Sequence, residues 1–428
     1  MKRSWGALAP RELKLASLTA LRVRPDADAA RPPRARGLER PALGIAHVVS
    51  ATGWGGMEAR TLETARWQAE AGHRVVIVTP EASSAFAEAE RRGLRAVAID
   101  FAAPGKLAGL RQMRRAFRDH RIDVADFHTN RSHAIGMLGL AALVRSQHNL
   151  KKKAPRGPRF SRQFPYGCFI STSEAGKDAL IATGAVKADR ISVVGEWAAE
   201  PFFAPAATAY EVAAMRQRLG VGEGQQVIGA CAMLRSDNAF DDLIRATAIL
   251  RDRGVDVACL LAGGPPTPTR GPCGQERALR ALAHDLGVAD AVKFLGHRAD
   301  VPDLFSAMDV ATVVSRHTAQ TRVGPEAAAR GRPVVGFAVG ALGEAVREGV
   351  TGRLVKPDDL YGFALAVERL LRDRAEREAM SASAAAFAQR NFRQGPKMEQ
   401  TLRIYRAALD RRKAAPSAEP RLVAAPTA

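Results

Sequence analysis

Three features of the chain carry residue types that could do chemistry. Gly53-Trp54-Gly55-Gly56-Met57-Glu58 follows a short apolar run, Gly44 to Ser50, and opens a helical pattern. Glycines there let a backbone approach a phosphate, and the helix start adds unpaired N–H groups and a positive dipole end. An ordinary strand-to-helix turn reads the same way. The turn is not GxGxxG, which argues against a dinucleotide dehydrogenase. The second feature is charge. The net charge is +20, and residues 101–163 hold 14 Lys and Arg against 3 Asp and Glu. A basic face attracts polyanions: nucleic acid, anionic lipid or phosphorylated substrates. The run Lys151, Lys152, Lys153, Arg156, Arg159, Arg162 has few aromatics on which bases could stack. It matches no nucleic-acid-binding motif, so no nucleic-acid partner is expected. A solvated loop is the plain alternative for the run. The third feature is Cys168, Cys231, Cys259 and Cys273. They form no CxxC pair, and their spacing suits neither zinc nor a disulfide framework, so no metal site is expected.

The elements that must position such residues follow an alternating pattern. The 428 residues suit two domains. In the first half, strands are expected at Gly44–Ser50, Arg74–Thr79, Ala96–Asp100, Val124–His128, Cys168–Thr172 and Ile191–Val194. Helices are expected at about 57–71, 83–92, 106–120, 131–143 and 174–183. The alternation restarts at Val227 and runs through strands at 257–262, 292–295, 310–314, 334–337 and 353–355. This implies an α/β chain with two doubly wound parallel sheets, and a cleft where the strand ends face each other. The expected order is a disordered basic segment over 1–42, a first domain over 43–200 and a linker over 201–225. A second domain over 226–385, a helical region over 386–413 that packs back on the first domain, and a disordered tail over 414–428 complete it. No apolar stretch reaches the roughly 18 residues that span a bilayer, and charges interrupt any leader-like segment. A cytoplasmic protein, at most touching the inner membrane face, is expected.

The stretch Gly324-Pro-Glu-Ala-Ala-Ala-Arg-Gly-Arg-Pro-Val-Val335 leads to Val339-Gly-Ala-Leu-Gly-Glu344 and then Gly349-Val-Thr-Gly352-Arg-Leu-Val-Lys-Pro357-Asp358. This succession resembles the donor-binding half of family-four GT-B glycosyltransferases. Asp123-Val-Ala-Asp-Phe-His128, Ser171-Thr-Ser-Glu174 and Phe294-Leu-Gly-His-Arg-Ala-Asp-Val301 resemble further motifs of that family, in the same order. The resemblance implies a GT-B fold and a nucleotide-sugar donor as co-substrate, with no resident cofactor. It implies that Glu326 binds the nucleotide ribose, since a carboxylate can accept from two vicinal hydroxyls. Balancing the helix dipole is the alternative role for Glu326. His128 is placed facing the donor sugar, with a satisfied strand-end histidine as the alternative. Gly296 and His297 border the base, Gly55 and Gly56 meet phosphate or sugar, Val323 lines the donor site, and Glu344 orients backbone amides there, with a surface role as its alternative.

The chain also departs from that pattern. The family's first glutamate is Thr318 here, and its arginine and lysine fall at Met233 and Asn238. Those cations neutralise a departing diphosphate, and losing one such donor costs about 10²–10³ in rate. Arg235, Arg316, His317 and Arg322 stand nearby as substitutes, and Arg235, His128 and Glu326 are the expected catalytic residues. The implied function is sugar transfer to a lipopolysaccharide or lipid-linked envelope acceptor, retaining and metal-independent. The basic run 145–163 is the expected contact with phosphorylated acceptor or anionic membrane. The alternative is a degenerate relative that binds a nucleotide sugar, or serves as a scaffold, without turnover.

Overall fold

The computed structural model describes residues 41–101, 107–129, 140–148, 167–184, 186–265, 272–316 and 322–414. The basic run over 149–163, Thr318, His317 and the two chain ends lie outside them.

The first lobe is a seven-stranded parallel sheet in the order β3-β2-β1-β4-β5-β6-β7. Its strands are β1 Gly44–Val48, β2 Arg74–Thr79, β3 Arg95–Ala98, β4 Val124–Phe127, β5 Ala142–Gln147, β6 Cys168–Ser171 and β7 Ile191–Val193. Helices α1 Gly56–Glu70, α2 Ser84–Arg91, α3 Leu107–Asp119 and α4 Glu174–Ala182 connect them. The central strands are near-continuous apolar runs because helices cover both faces of such a sheet. Ile45, Ala46, Val124, Ala125 and Val144 are fully buried. Ser83 and Ser173 start α2 and α4, each accepting a backbone N–H three residues on.

One expectation is corrected here. The helix expected near 131–143 lies outside the described residues over 131–139, and its last two residues are strand: residues 142–147 form β5, hydrogen-bonded between β4 and β6. An apolar run this short does not distinguish buried strand from buried helix. The sheet needed a partner for both neighbours, and Ala142–Gln147 fills that place. Arg145, expected to begin a basic loop, is therefore buried within the sheet and donates to the backbone oxygens of Phe127 and Thr129.

The second lobe is a six-stranded parallel sheet in the order β10-β9-β8-β11-β12-β13. Its strands are β8 Gln226–Cys231, β9 Val257–Ala262, β10 Val292–Gly296, β11 Val310–Val313, β12 Val334–Phe337 and β13 Gly352–Val355. Helix α5 Ala209–Arg218 lies in the expected linker and puts Met215 into this lobe's core, while Arg216 pairs with Asp309. Then come α6 Phe240–Asp252, α7 Gly274–Asp285, α8 Val301–Ala307, α9 Val323–Ala329, α10 Leu342–Ala345 and α11 Leu360–Arg372. Helix α12 Arg374–Asn391 runs through the expected boundary at 385. Helix α13 Gln394–Ala414 returns to the first lobe, where Met398, Leu402, Tyr405 and Ala408 pack on Ile45, Val124, Ala142 and Val144. The two crossings lie side by side: Ala198 N donates to Phe392 O at 3.0 Å.

Candidate functional site

The strand ends of the two lobes meet. Gly55, between β1 and α1, lies against Met233, which follows β8. A Cβ on Gly55 would stand 3.0 Å from the Met233 methyl group. That contact is tight, and a side chain at this position would need the flexible end of Met233 to move by a few tenths of an ångström. Glu58, in the first turn of α1, is buried below it. Gly296 ends β10 in the left-handed region at φ 63°, and its carbonyl accepts from Gly263 N at 2.8 Å. His297 is exposed beyond it, beside Gly264.

Charged groups converge where α1 faces α9. Arg322 reaches out from the start of α9, with Nη1 at 3.0 Å from Glu63 Oε1 on α1 and Nη2 at 2.9 Å from Glu326 Oε1. Nearby, Arg60 pairs with Glu196, donates to Val194 O at 3.0 Å and stacks 3.6 Å over the Trp197 ring. Glu326 is buried at the N-terminal turn of α9, and burial pushes its carboxyl up to about 7 against the opposing pull of Arg322. Burial also disfavours the Arg322 charge, but Glu326, Glu63 and Glu196 outweigh it and hold the guanidinium above its ordinary range. Among the described residues, one oxygen of Glu63 is buried without a hydrogen-bond partner. Val323 is buried beside Arg322. Glu344 binds across the lobes as well: its carboxylate accepts from the backbone N–H of Glu174 and Ala175, each at 3.0 Å, and so caps α4.

The other expected cations are engaged locally. Arg235 forms a two-pronged pair with Asp237, at 3.0 and 2.8 Å, and is half exposed. Arg316 is held by Asp241 and Asp242 at 2.6–2.7 Å. Asn238 donates to Met233 O at 2.8 Å and accepts from Ser315.

His128 sits inside a buried hydrogen-bonded chain instead of at an open surface. His47 Nε2 lies 2.8 Å from Gln68 Oε1, and His47 Nδ1 lies 2.9 Å from His128 Nε2. His128 Nδ1 lies 2.8 Å from His148 Nε2. Asp126 Oδ2, 3.7 Å from His128 Nε2, favours a proton on that nitrogen. The tautomers then follow: each neutral ring donates from Nε2, and the donations run from His148 through His128 and His47 to Gln68. Asp126 is satisfied in turn by Ser146 N at 3.1 Å, Ser146 Oγ at 2.8 Å and Tyr405 OH at 2.6 Å. His47, Asp126 and His128 bring three ligand-type atoms within 4.8 Å of one another. Their lone pairs and protons are already used, so hydrogen bonding alone accounts for the group.

Burial lowers the basicity of all three histidines, and pushes His128 down to about 3 despite the attraction of Asp126. The unfolded chain therefore binds protons that the folded one refuses between about pH 3 and 6.5, and stability falls as pH drops through that window. Glu326 acts oppositely, since its raised carboxyl holds a proton that the unfolded chain releases between 4.5 and about 7. Each group contributes up to about 1.4 kcal/mol per pH unit. The lowered histidines outnumber the raised glutamate, so a net loss of stability is expected as the pH falls from 6.5 to 5.5. Denaturant titrations at several pH values check this; a flat profile would mean that the histidines are charged in the fold.

His47, His148, Gln68, Tyr405, Arg60, Glu63 and Glu196 were not singled out from the sequence. A usable signal existed for one of them: His47 stands inside an otherwise apolar, doubly covered strand, where a polar residue needs a partner. Glu63 carried none, being one acidic residue on a polar helix.

Residues 54–196 match the family described as Glycosyltransferase Family 4, and residues 225–373 match the one described as Glycosyl transferases group 1. The D-inositol 3-phosphate glycosyltransferase of Stackebrandtia nassauensis is 35% identical over 213 residues, 48% of this chain and 47% of that protein. Its counterpart in Nocardia farcinica is 33% identical over 245 residues, 56% of this chain and 52% of that one. The matches thus span about half the length of these relatives. A glycosyltransferase structure from Rickettsia africae covers 86% of this chain and 99% of its own, with a TM-score of 0.78 at 17% identity. An Anabaena protein, HepE, in complex with UDP-glucose covers 85% and 99%, with a TM-score of 0.74 at 22% identity. No helix among the described residues is long and apolar enough to cross a membrane. Two parallel-sheet lobes and these matches agree: the chain has the GT-B fold, its first lobe matching the family described as Glycosyltransferase Family 4 and its second the one described as Glycosyl transferases group 1.

Proposed function

We propose that the chain is a glycosyltransferase that moves a sugar from a nucleotide-sugar donor to a phosphorylated acceptor. The observation that carries this reading is Glu326: a buried carboxylate at the start of α9, set where the two lobes meet and facing groups of both. The bond from the anomeric carbon to the diphosphate oxygen breaks, and its electron pair leaves with the diphosphate. The acceptor oxygen bonds to that carbon and gives up its proton to the leaving phosphate. Positioning and charge neutralisation supply most of such catalysis. We read the course as retaining, with no resident metal or cofactor. The names of the relatives favour an acceptor of the inositol phosphate kind over a lipopolysaccharide. The exposed Arg111, Arg115 and Arg118 of α3 give the first lobe a basic face toward such an acceptor or an anionic membrane.

A second reading, binding without turnover, is favoured by one feature. Met233 packs on Gly55, where a phosphate-binding cation is implied, and Asn238 is turned to Met233 O. Calorimetry with UDP, GDP and ADP, followed by transfer assays with the matching nucleotide sugars, separates the two. Sugar transfer onto inositol phosphate is the expected result. Binding without transfer to any acceptor favours the second reading, and no binding at all sinks both.

A further inference from the structure

A departing nucleoside diphosphate needs a cation, and the cations near this site differ in how firmly they are held. Arg60 is fixed by Glu196, by the carbonyl oxygens of Val194 and Gly195, and by Trp197 beneath it. Arg316 is gripped by two aspartates at once. Arg235 closes a ring with Asp237 two residues on and faces solvent. Arg322 is different. It meets only the carboxylate ends of Glu63 and Glu326, at 3.0 and 2.9 Å, and makes no hydrogen bond to a backbone carbonyl among the described residues. Its side chain is 16% exposed, so it stands between the lobes and not in bulk water.

The carboxylates that hold it are under-supplied with donors. Among the described residues, Glu63, Glu196 and Glu326 pair with two guanidinium groups, Arg60 and Arg322, and one oxygen of Glu63 has no partner. A pair of vicinal hydroxyls could therefore enter this cluster and be bonded. Arg322 and Glu326 are four residues apart, one helical turn, on the same face of α9. A ribose seated on Glu326 takes the place of Arg322 there and carries its 5′-phosphates past the same face.

We propose that Arg322 is the cation that meets the leaving diphosphate, and that the nucleotide ribose frees it for this by displacing it from Glu326. This rests on the reading of Glu326 as the ribose-binding carboxylate. The exchange gives up an ion pair for bonds from uncharged hydroxyls, so ribose alone is a poor competitor. A ligand that brings a diphosphate as well offers the displaced guanidinium a new and more highly charged partner. The site should thus reject nucleosides and accept nucleoside diphosphates, a discrimination made by one side chain. The swap also releases Glu63, so donor entry loosens one tie between the lobes.

The test is calorimetry on the full chain with UDP, GDP and ADP and with the corresponding free nucleosides. The proteins are wild type, Arg322→Met, Arg322→Lys and Glu63→Gln. In the wild type, one diphosphate binds about a hundredfold more tightly than its nucleoside. Arg322→Met loses at least about tenfold in diphosphate affinity and gains nucleoside affinity, because Glu326 is freed while the cation is gone. Arg322→Lys keeps the charge without the fork and falls between them. Glu63→Gln loosens Arg322 and tightens diphosphate binding a few-fold. If Arg322→Met binds the diphosphate as well as wild type or better, Arg322 is only a plug, and the inference is overturned while the donor reading stands. If wild type and all variants bind no nucleoside diphosphate, the donor reading itself fails and takes the inference with it.

Discussion

Truncating Asp126 to alanine is expected to lower the unfolding free energy by about 3–5 kcal/mol, since three buried donors lose their acceptor at roughly 1–3 kcal/mol each. Asp126 is 1% exposed and accepts from Ser146 N, Ser146 Oγ and Tyr405 OH, with His128 3.7 Å away. Its loss leaves those donors buried without an acceptor, and removes the charge that sets the His128 tautomer. Tyr405→Phe is the milder companion. It deletes one hydroxyl and leaves Asp126 two bonds to Ser146, so about 1–2 kcal/mol is expected. Because Tyr405 lies on α13, the first variant also loosens the helix that ties the chain's end to the first lobe. Urea titration followed by tryptophan fluorescence reads both. An Asp126→Ala loss under about 1 kcal/mol would show that the network does not hold the fold together.

The second large effect concerns Glu326. Glu326→Gln keeps the volume and removes the charge. A hydrogen bond to a charged group is worth about 1.5–3 kcal/mol, so nucleoside diphosphate affinity is expected to fall roughly 10- to 100-fold. The wild-type protein carries its own control in pH. With its carboxyl pushed up to about 7, Glu326 is mostly protonated at pH 6 and mostly ionised at pH 8. Affinity should therefore rise about tenfold across that range in wild type and stay level in Glu326→Gln. A wild-type affinity indifferent to pH, together with an unimpaired variant, would remove Glu326 from the ribose site.

Much of the architecture was legible because it is local and repetitive. Strand-forming runs such as Val75–Val78 and Val257–Ala262 are continuous and apolar, as doubly covered parallel strands must be. The glycine-rich turn at Gly53–Gly56 and the ordered motifs around Glu326 placed the strand ends. The strand Ala142–Gln147 was not legible, because an apolar run followed by Arg145 reads equally as a helix entering a basic loop. Only the gap between β4 and β6 decides the matter, and that gap is a property of the assembled sheet.

The same division holds at the site. The chain by itself determined two α/β lobes and the order of their elements, and it put Glu326 in the first turn of a helix and His128 at the end of a strand. It determined equally that Met233 and Asn238 are uncharged where cations are implied. Which ionisable groups are paired was decided by tertiary structure. Tyr405 reaches Asp126 across 279 residues of sequence, and His47 reaches His128 across 81. Arg322 is bound to Glu63 of the other lobe, while Arg235, nearer the missing lysine in sequence, is consumed by its neighbour Asp237. Sequence spacing reports what a residue can offer. Whether its charge is free or already matched depends on the side chains that folding brings within about 3 Å of it, the reach of a hydrogen bond.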